Sequence, residues 1–137
     1  MNKGTCLCQK IQFEVTEFEP LIGHCHCRMC QKFHGAAFST FGEVKLVNLH
    51  WLQGKEQLHH YRAENDTVRS FCQCCGSSLL FESKFNREAK TIEIALSAFD
   101  KIEPAEQIKP NAHIFTESQV PWCRFDDGLD KFKGYRE

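Results

Sequence analysis

The chain has 137 residues, enough for one domain spanning 1–137 with a modest core, and its 17 Lys and Arg face 18 acidic residues for a formal charge of -1. That balance lacks the basic excess of a nucleic-acid binder, and no stretch approaches the roughly 18 apolar residues of a membrane span, so neither partner is expected. The opening MNKGTCLC has no apolar signal core, and an odd count of nine cysteines cannot all pair within one chain, so a cytoplasmic protein using metal thiolates is expected.

In chain order, residues 11–15 (IQFEV) alternate Ile11, Phe13 and Val15, the period of a half-buried strand. A short helical turn is predicted from Cys27 to Phe33, with Gly35 as its C-cap. Strands are then predicted at 36–41 (AAFSTF), 44–49 (VKLVNL), 58–62, 67–71 (TVRSF) and 78–82 (SLLFE). Two more follow at 91–96 (TIEIAL), where Ile92, Ile94 and Leu96 alternate, and at 112–115. Gly42, Gly54, the Asn65-Asp66 pair and Gly76 read as turns, Pro104, Pro110 and Pro121 mark late loops, and the tail DKFKGYRE reads as a solvated end. The Phe side chains at 13, 38, 41, 71, 81 and 115 fall on strand-like segments and are expected in the core. No internal repeat or linker interrupts this mainly β pattern.

The cysteines fall as Cys6-Leu7-Cys8, then Cys25-His26-Cys27-Arg28-Met29-Cys30, then Cys72-Gln73-Cys74-Cys75-Gly76, with Cys123 apart. A C-x-C pair in extended chain puts both sulfurs on one face, and a C-x-x-C followed by Gly suits a tight ligand-bearing turn. If Cys6, Cys8, Cys72 and Cys75 close one tetrahedral site, the segment HCHCRMC retains three thiolates. Three protein ligands with an open fourth position mark a catalytic zinc, and four mark a structural one. Cys74 and Cys123 stand outside this count, either as buried small side chains or as competing ligands. An iron–sulfur cluster would use the same ligands, but two mononuclear sites fit the spacing better.

GTCLC, GHCHCRMCQKFHGAAFST, SFCQCCGSSLLF and HIFTESQVPW, spread over residues 4–122, together resemble the glutathione-dependent formaldehyde-activating enzyme family, which includes centromere protein V-like proteins. The resemblance implies a β-tent (Mss4-like) fold of short antiparallel strands with zinc-binding turns. It also implies two Zn2+ per chain, a structural one at Cys6, Cys8, Cys72 and Cys75 and a catalytic one at Cys25, Cys27 and Cys30. The activity it implies is that of a carbon–sulfur lyase joining formaldehyde reversibly to glutathione, giving S-hydroxymethylglutathione. A glutathione carrier or a non-catalytic zinc-stabilised binding module would need much the same thiolates. The relatives' chromatin association is disfavoured by the near-neutral charge.

An anionic thiol such as glutathione needs nearby cations. Arg28 and Lys32 lie at the metal turn and Arg62 and Arg69 flank the Asn65-Asp66 turn, with Arg28 the first candidate for a bidentate carboxylate contact. His26, between two thiolates in extended chain, is expected to point away from the metal. His24 is a candidate to steady the turn through a backbone carbonyl, and His34 and His113 are candidate proton shuttles. The His59-His60 pair has no ligand spacing and no assigned role.

Overall fold

The computed structural model describes residues 1–136. In chain order its elements are β1 (Asn2–Thr5), β2 (Gln12–Val15), β3 (Gly23–Cys25), α1 (Arg28–His34), β4 (Ser39–Lys45), β5 (Leu49–Gln53), β6 (Leu58–Arg62) and β7 (Val68–Cys72). They continue with β8 (Ser78–Glu82), α2 (Lys84–Ala89), β9 (Thr91–Ala95), β10 (Phe99–Lys101), β11 (Ala112–Ile114) and β12 (Asp130–Lys131). The strands form a four-stranded sheet, β10-β1-β2-β5, and an eight-stranded sheet, β12-β11-β3-β4-β9-β8-β7-β6. The mainly β class with short antiparallel strands is therefore observed, with one departure: β11 runs parallel to both β3 and β12.

The main core is built from both sheets. Phe13 and Val15 from the smaller sheet and Val44, Leu80 and Ile94 from the larger are buried in one cluster with Ile11, Leu79 and two cysteines, Cys6 and Cys72. Because side chains alternate across a strand, the neighbours Glu43, Phe81 and Glu93 stand on the opposite face of the larger sheet. That second face carries the candidate site.

Several sequence expectations are corrected. Gly42 is not a turn but an interior residue of β4, opposite Ile94. A Cβ there would lie 2.8 to 2.9 Å from Phe18 and Leu96, so the residue is required by close packing rather than by chain reversal. The strand expected over 44–49 is two strands. β4 ends at Lys45, a 3-10 turn takes Leu46–Asn48, and β5 begins at Leu49 in the other sheet. β1 escapes a hydrophobic pattern because its buried positions are Asn2 and Gly4. Asn2 is satisfied by donating to the Val15 carbonyl at 3.1 Å and accepting from Glu103 N and Gln107 Nε2, each at 3.0 Å.

Helix α1 follows its expected bounds closely, with the Cys27 sulfur accepting from Cys30 N at 3.3 Å as N-cap and Gly35 left-handed at φ 62°. Helix α2 was not expected; its start is set by a capping box between Ser83 and Asn86. The tail is not simply solvated. β12 pairs with β11, Phe132 N donates to the His113 carbonyl at 2.8 Å, and Tyr135 packs edge-on against Phe115 at 4.8 Å between centroids.

Candidate metal centres and the cavity beside them

The first cluster is assembled from two distant turns. The Cys6-Leu7-Cys8 turn leaves β1, and the Cys72–Gly76 turn joins β7 to β8. Gly76 closes the second turn at φ 78°, its N–H donating to the Cys72 carbonyl at 2.8 Å. Ser77 ties the turns together: its hydroxyl accepts from Leu7 N at 2.8 Å and lies 3.2 Å from Cys75 Sγ. The four sulfurs lie within 4.8 Å of one another, with Cys6–Cys8 at 3.5 Å and Cys8–Cys72 at 3.9 Å. A tetrahedron with metal–sulfur bonds of about 2.3 Å has edges of about 3.8 Å, so the donor set is arranged to hold a metal ion. Desolvation by burial pushes the Cys72 thiol up to about 12. Burial raises Cys75, but hydrogen bonds with Ser77, Cys8 and Cys72 together lower it to about 5. Cys74, next in line by sequence, is exposed rather than packed; it donates to Gln57 Oε1 at 3.0 Å and accepts from Lys10 Nζ at 3.6 Å.

The second cluster is local. Cys25 ends β3, Cys27 caps α1 and Cys30 lies in its first turn, and their sulfurs also fall within 4.8 Å of one another. Among the described residues no fourth Cys, His or carboxylate joins them, and neither Cys74 nor Cys123 is within the group. Hydrogen bonds with Cys25 and Cys30 hold the capping Cys27 thiol well below the usual thiol range, while contacts with its two neighbours raise Cys25. The Arg69 side chain, 4% exposed, donates from Nη1 to Cys30 Sγ at 3.6 Å and lies over the Phe81 ring at 4.8 Å.

The three thiols open onto a cavity of about 480 Å³ that also takes in Arg69, Glu43 and Glu93. Phe81 and Phe115, expected in the core, are only half buried because they line the apolar wall of this space, next to the buried Phe41. Of the four cations singled out from the sequence, Arg69 lines the cavity. Arg28 and Lys32 line a separate groove beside Trp122, where the Arg28 guanidinium donates to Gln31 Oε1. Arg62 is an exposed partner of Asp66.

Behind the metal turn, on the side away from the cavity, the histidines form a chain. His26 is fully buried, its Nε2 2.8 Å from His113 Nδ1, and His113 Nε2 lies 2.7 Å from Asp127 Oδ2. Burial, reinforced by His113, lowers His26 to about 4 and keeps it neutral. His24 meets Thr40 Oγ1 at 2.7 Å rather than a backbone carbonyl. Gln31 adds a brace that sequence reading missed, donating from Nε2 to the carbonyls of His26 at 2.7 Å and Ser118 at 2.9 Å. Neither His34 nor His113 lines the cavity. Asp127 carried no sequence signal, since nothing in its surroundings announces a partner 14 residues back in the chain.

A family model described as glutathione-dependent formaldehyde-activating enzyme matches residues 1–118. The chain is similar to the uncharacterized lyase C29B12.13 of Schizosaccharomyces pombe (strain 972 / ATCC 24843), 28% identical over 79 residues that span 58% of this chain and 56% of that protein. It is also similar in fold to a crystal structure of a Rhodobacter sphaeroides protein, with a TM-score of 0.62 and 21% identity over 79% of this chain and 96% of the other. Since the family match takes in both thiol clusters and all but the last part of the chain, this protein belongs to the glutathione-dependent formaldehyde-activating enzyme family.

Proposed function

We propose that this chain is a zinc-dependent carbon–sulfur lyase that forms and breaks S-hydroxymethylglutathione or a related glutathione–aldehyde adduct, as a single cytoplasmic domain over residues 1–137. The observation that carries the reading is a cluster of three thiols facing a cavity of about 480 Å³, in a chain whose family description names both glutathione and formaldehyde. Cys6, Cys8, Cys72 and Cys75 would hold a structural Zn2+, and Cys25, Cys27 and Cys30 the catalytic one. Zinc at the second cluster would supply positive charge that keeps an incoming thiol deprotonated near neutral pH.

The remaining work falls to the chain. The Gln31 brace and the His26–His113–Asp127 chain hold the metal turn in place from behind, which supports positioning rather than proton transfer for those histidines. Arg69 offsets the charge of the thiolates from inside the cavity. Arg28 remains the proposed contact for a glutathione carboxylate, from its groove on the outer side of α1. Because formaldehyde is already a strong electrophile, positioning of the two reactants and management of one proton are the main demands on the protein.

Metal content by mass spectrometry, calorimetric titration with glutathione, and NMR exchange between glutathione and S-hydroxymethylglutathione test the reading together. About two zinc ions per chain, saturable glutathione binding and exchange faster than in buffer are expected. Binding without acceleration would make the protein a glutathione carrier. No binding would make it a zinc-stabilised binding module.

A further inference from the structure

We propose that Glu93 is the proton-transfer residue of this site, taking the hydroxyl proton of the bound adduct as its carbon–sulfur bond breaks and returning it when the bond forms. The inference rests on the lyase reading above and names the group that reading leaves open.

Sheet register makes the case. Across β7, β8, β9 and β4, Arg69 stands opposite Phe81, Phe81 opposite Glu93, and Glu93 opposite Glu43. All four side chains line the cavity that holds Cys25, Cys27 and Cys30, whereas among the described residues no histidine or lysine lines it. Two carboxylates directly across a ladder repel, and one of them must hold a proton more tightly than usual.

Their surroundings decide which one. Glu43 Oε2 accepts from Thr91 Oγ1 at 2.6 Å and from Asn86 Nδ2 at 3.5 Å, donors that favour its ionised form. For Glu93, burial and then the Glu43 charge push the carboxyl up to about 7, against the opposing effects of a hydrogen bond with Asn86 and the Arg69 charge. The charged or titratable groups facing it are thus Glu43 from β4 and Arg69 from β7. Asn86 from α2 and Phe81 from β8 add none, while the three cysteines, Tyr135 and Arg136 share the cavity. A carboxyl divided between its two states near neutral pH is suited to both directions of a reversible proton transfer.

The step balances without an oxidant or reductant. In the breaking direction the Glu93 carboxylate takes the O–H proton and the O–H pair becomes the carbonyl π bond. The carbon–sulfur pair leaves on sulfur, and the proton passes on to the thiolate or to water. The products are glutathione and formaldehyde. Formation runs through the same atoms in reverse.

The test uses the zinc-loaded full chain. NMR exchange should give a wild-type rate with an inflection near pH 7, matching the midpoint of about 7 for Glu93. Glu93→Gln should lose about a hundredfold in rate and the inflection with it, while zinc content and glutathione affinity stay close to wild type. Glu43→Gln should stay active and move the inflection to lower pH, a change that a merely structural role would not produce. In parallel, the wild-type Glu93 carboxyl is followed by carbon-13 NMR, a readout independent of turnover, with the same midpoint expected.

A Glu93→Gln protein that keeps its rate and its inflection overturns the proposal while leaving the lyase reading intact. A Glu93 midpoint in the ordinary carboxylate range overturns it as well. Wild-type protein that binds glutathione but accelerates nothing overturns the lyase reading, and this role falls with it.

Discussion

The two thiol clusters use the same donor atom for opposite structural ends. Cys6 and Cys72 are buried in the main core, and their cluster joins a turn of the smaller sheet to a turn of the larger one across 64 residues of chain. Cys25, Cys27 and Cys30 come from one short segment, and their cluster faces a cavity rather than the core between the sheets. A site that closes a long loop between sheets contributes to folding, because its ligands are gathered only in the folded state. A site gathered by one turn demands little of the fold, and under the proposed function the side facing the cavity would take the substrate thiol. The contrast separates structure from chemistry more sharply than the ligand count alone.

The largest effect should come from breaking the first cluster. Cys72→Ala is expected to lose metal and to destabilise the fold by roughly 5 kcal/mol or more, so thermal melting should show a domain unfolded or close to it at 37 °C. Unchanged melting and metal content would remove the structural role from that cluster. Cys27→Ala should instead lose one of about two zinc ions and its glutathione binding while remaining folded, as mass spectrometry, calorimetry and circular dichroism would report. If both variants unfolded alike, the distinction between the clusters would fail.

A smaller effect sharpens the contrast on the cavity side. The folded Glu93 carboxyl, raised to about 7, holds its proton more tightly than the same group in the unfolded chain. Its contribution to stability is therefore fully present below the ordinary carboxylate range and is lost as pH rises through about 7. Glu93→Gln removes that loss. The variant should be more stable than wild type by about 3 kcal/mol at pH 8, with the gap closing toward pH 4, as denaturant titrations at a series of pH values would show. Smallest of all, Arg28→Ala should weaken glutathione binding by about three- to tenfold, or ~1 kcal/mol, without changing zinc content, as calorimetry can read. An unchanged affinity would withdraw Arg28 from the binding site and leave Arg69 as the cation beside the thiols.

Much of the fold was legible where local pattern and tertiary environment agree. IQFEV and TIEIAL alternate because Phe13, Val15 and Ile94 do face the core, and the helix after Cys27 was readable from its Gly35 cap. Strands β1 and β5 and helix α2 were not legible as such. β1 buries Asn2 and Gly4 instead of apolar side chains, β5 follows β4 with only a 3-10 turn between them, and α2 is a short helix set by its capping box. Alternation also misleads at Glu93. A polar residue between Ile92 and Ile94 reads as solvent-facing, yet its face of the sheet is covered by the cavity wall.

By itself, then, the sequence determined the three local cysteine groups, at 6–8, 25–30 and 72–75, and the β character of the chain, because ligand spacing and side-chain periodicity are local properties; that the first and last groups meet is a tertiary fact. Only the tertiary structure decided that the set of three faces a cavity and that Glu93 and Arg69 share that space while Arg28 lies in another. It also turned His113 inward to His26 and Asp127. Those relations depend on strand register and on which face of a sheet is covered, and residues far apart in the chain carry no local record of either.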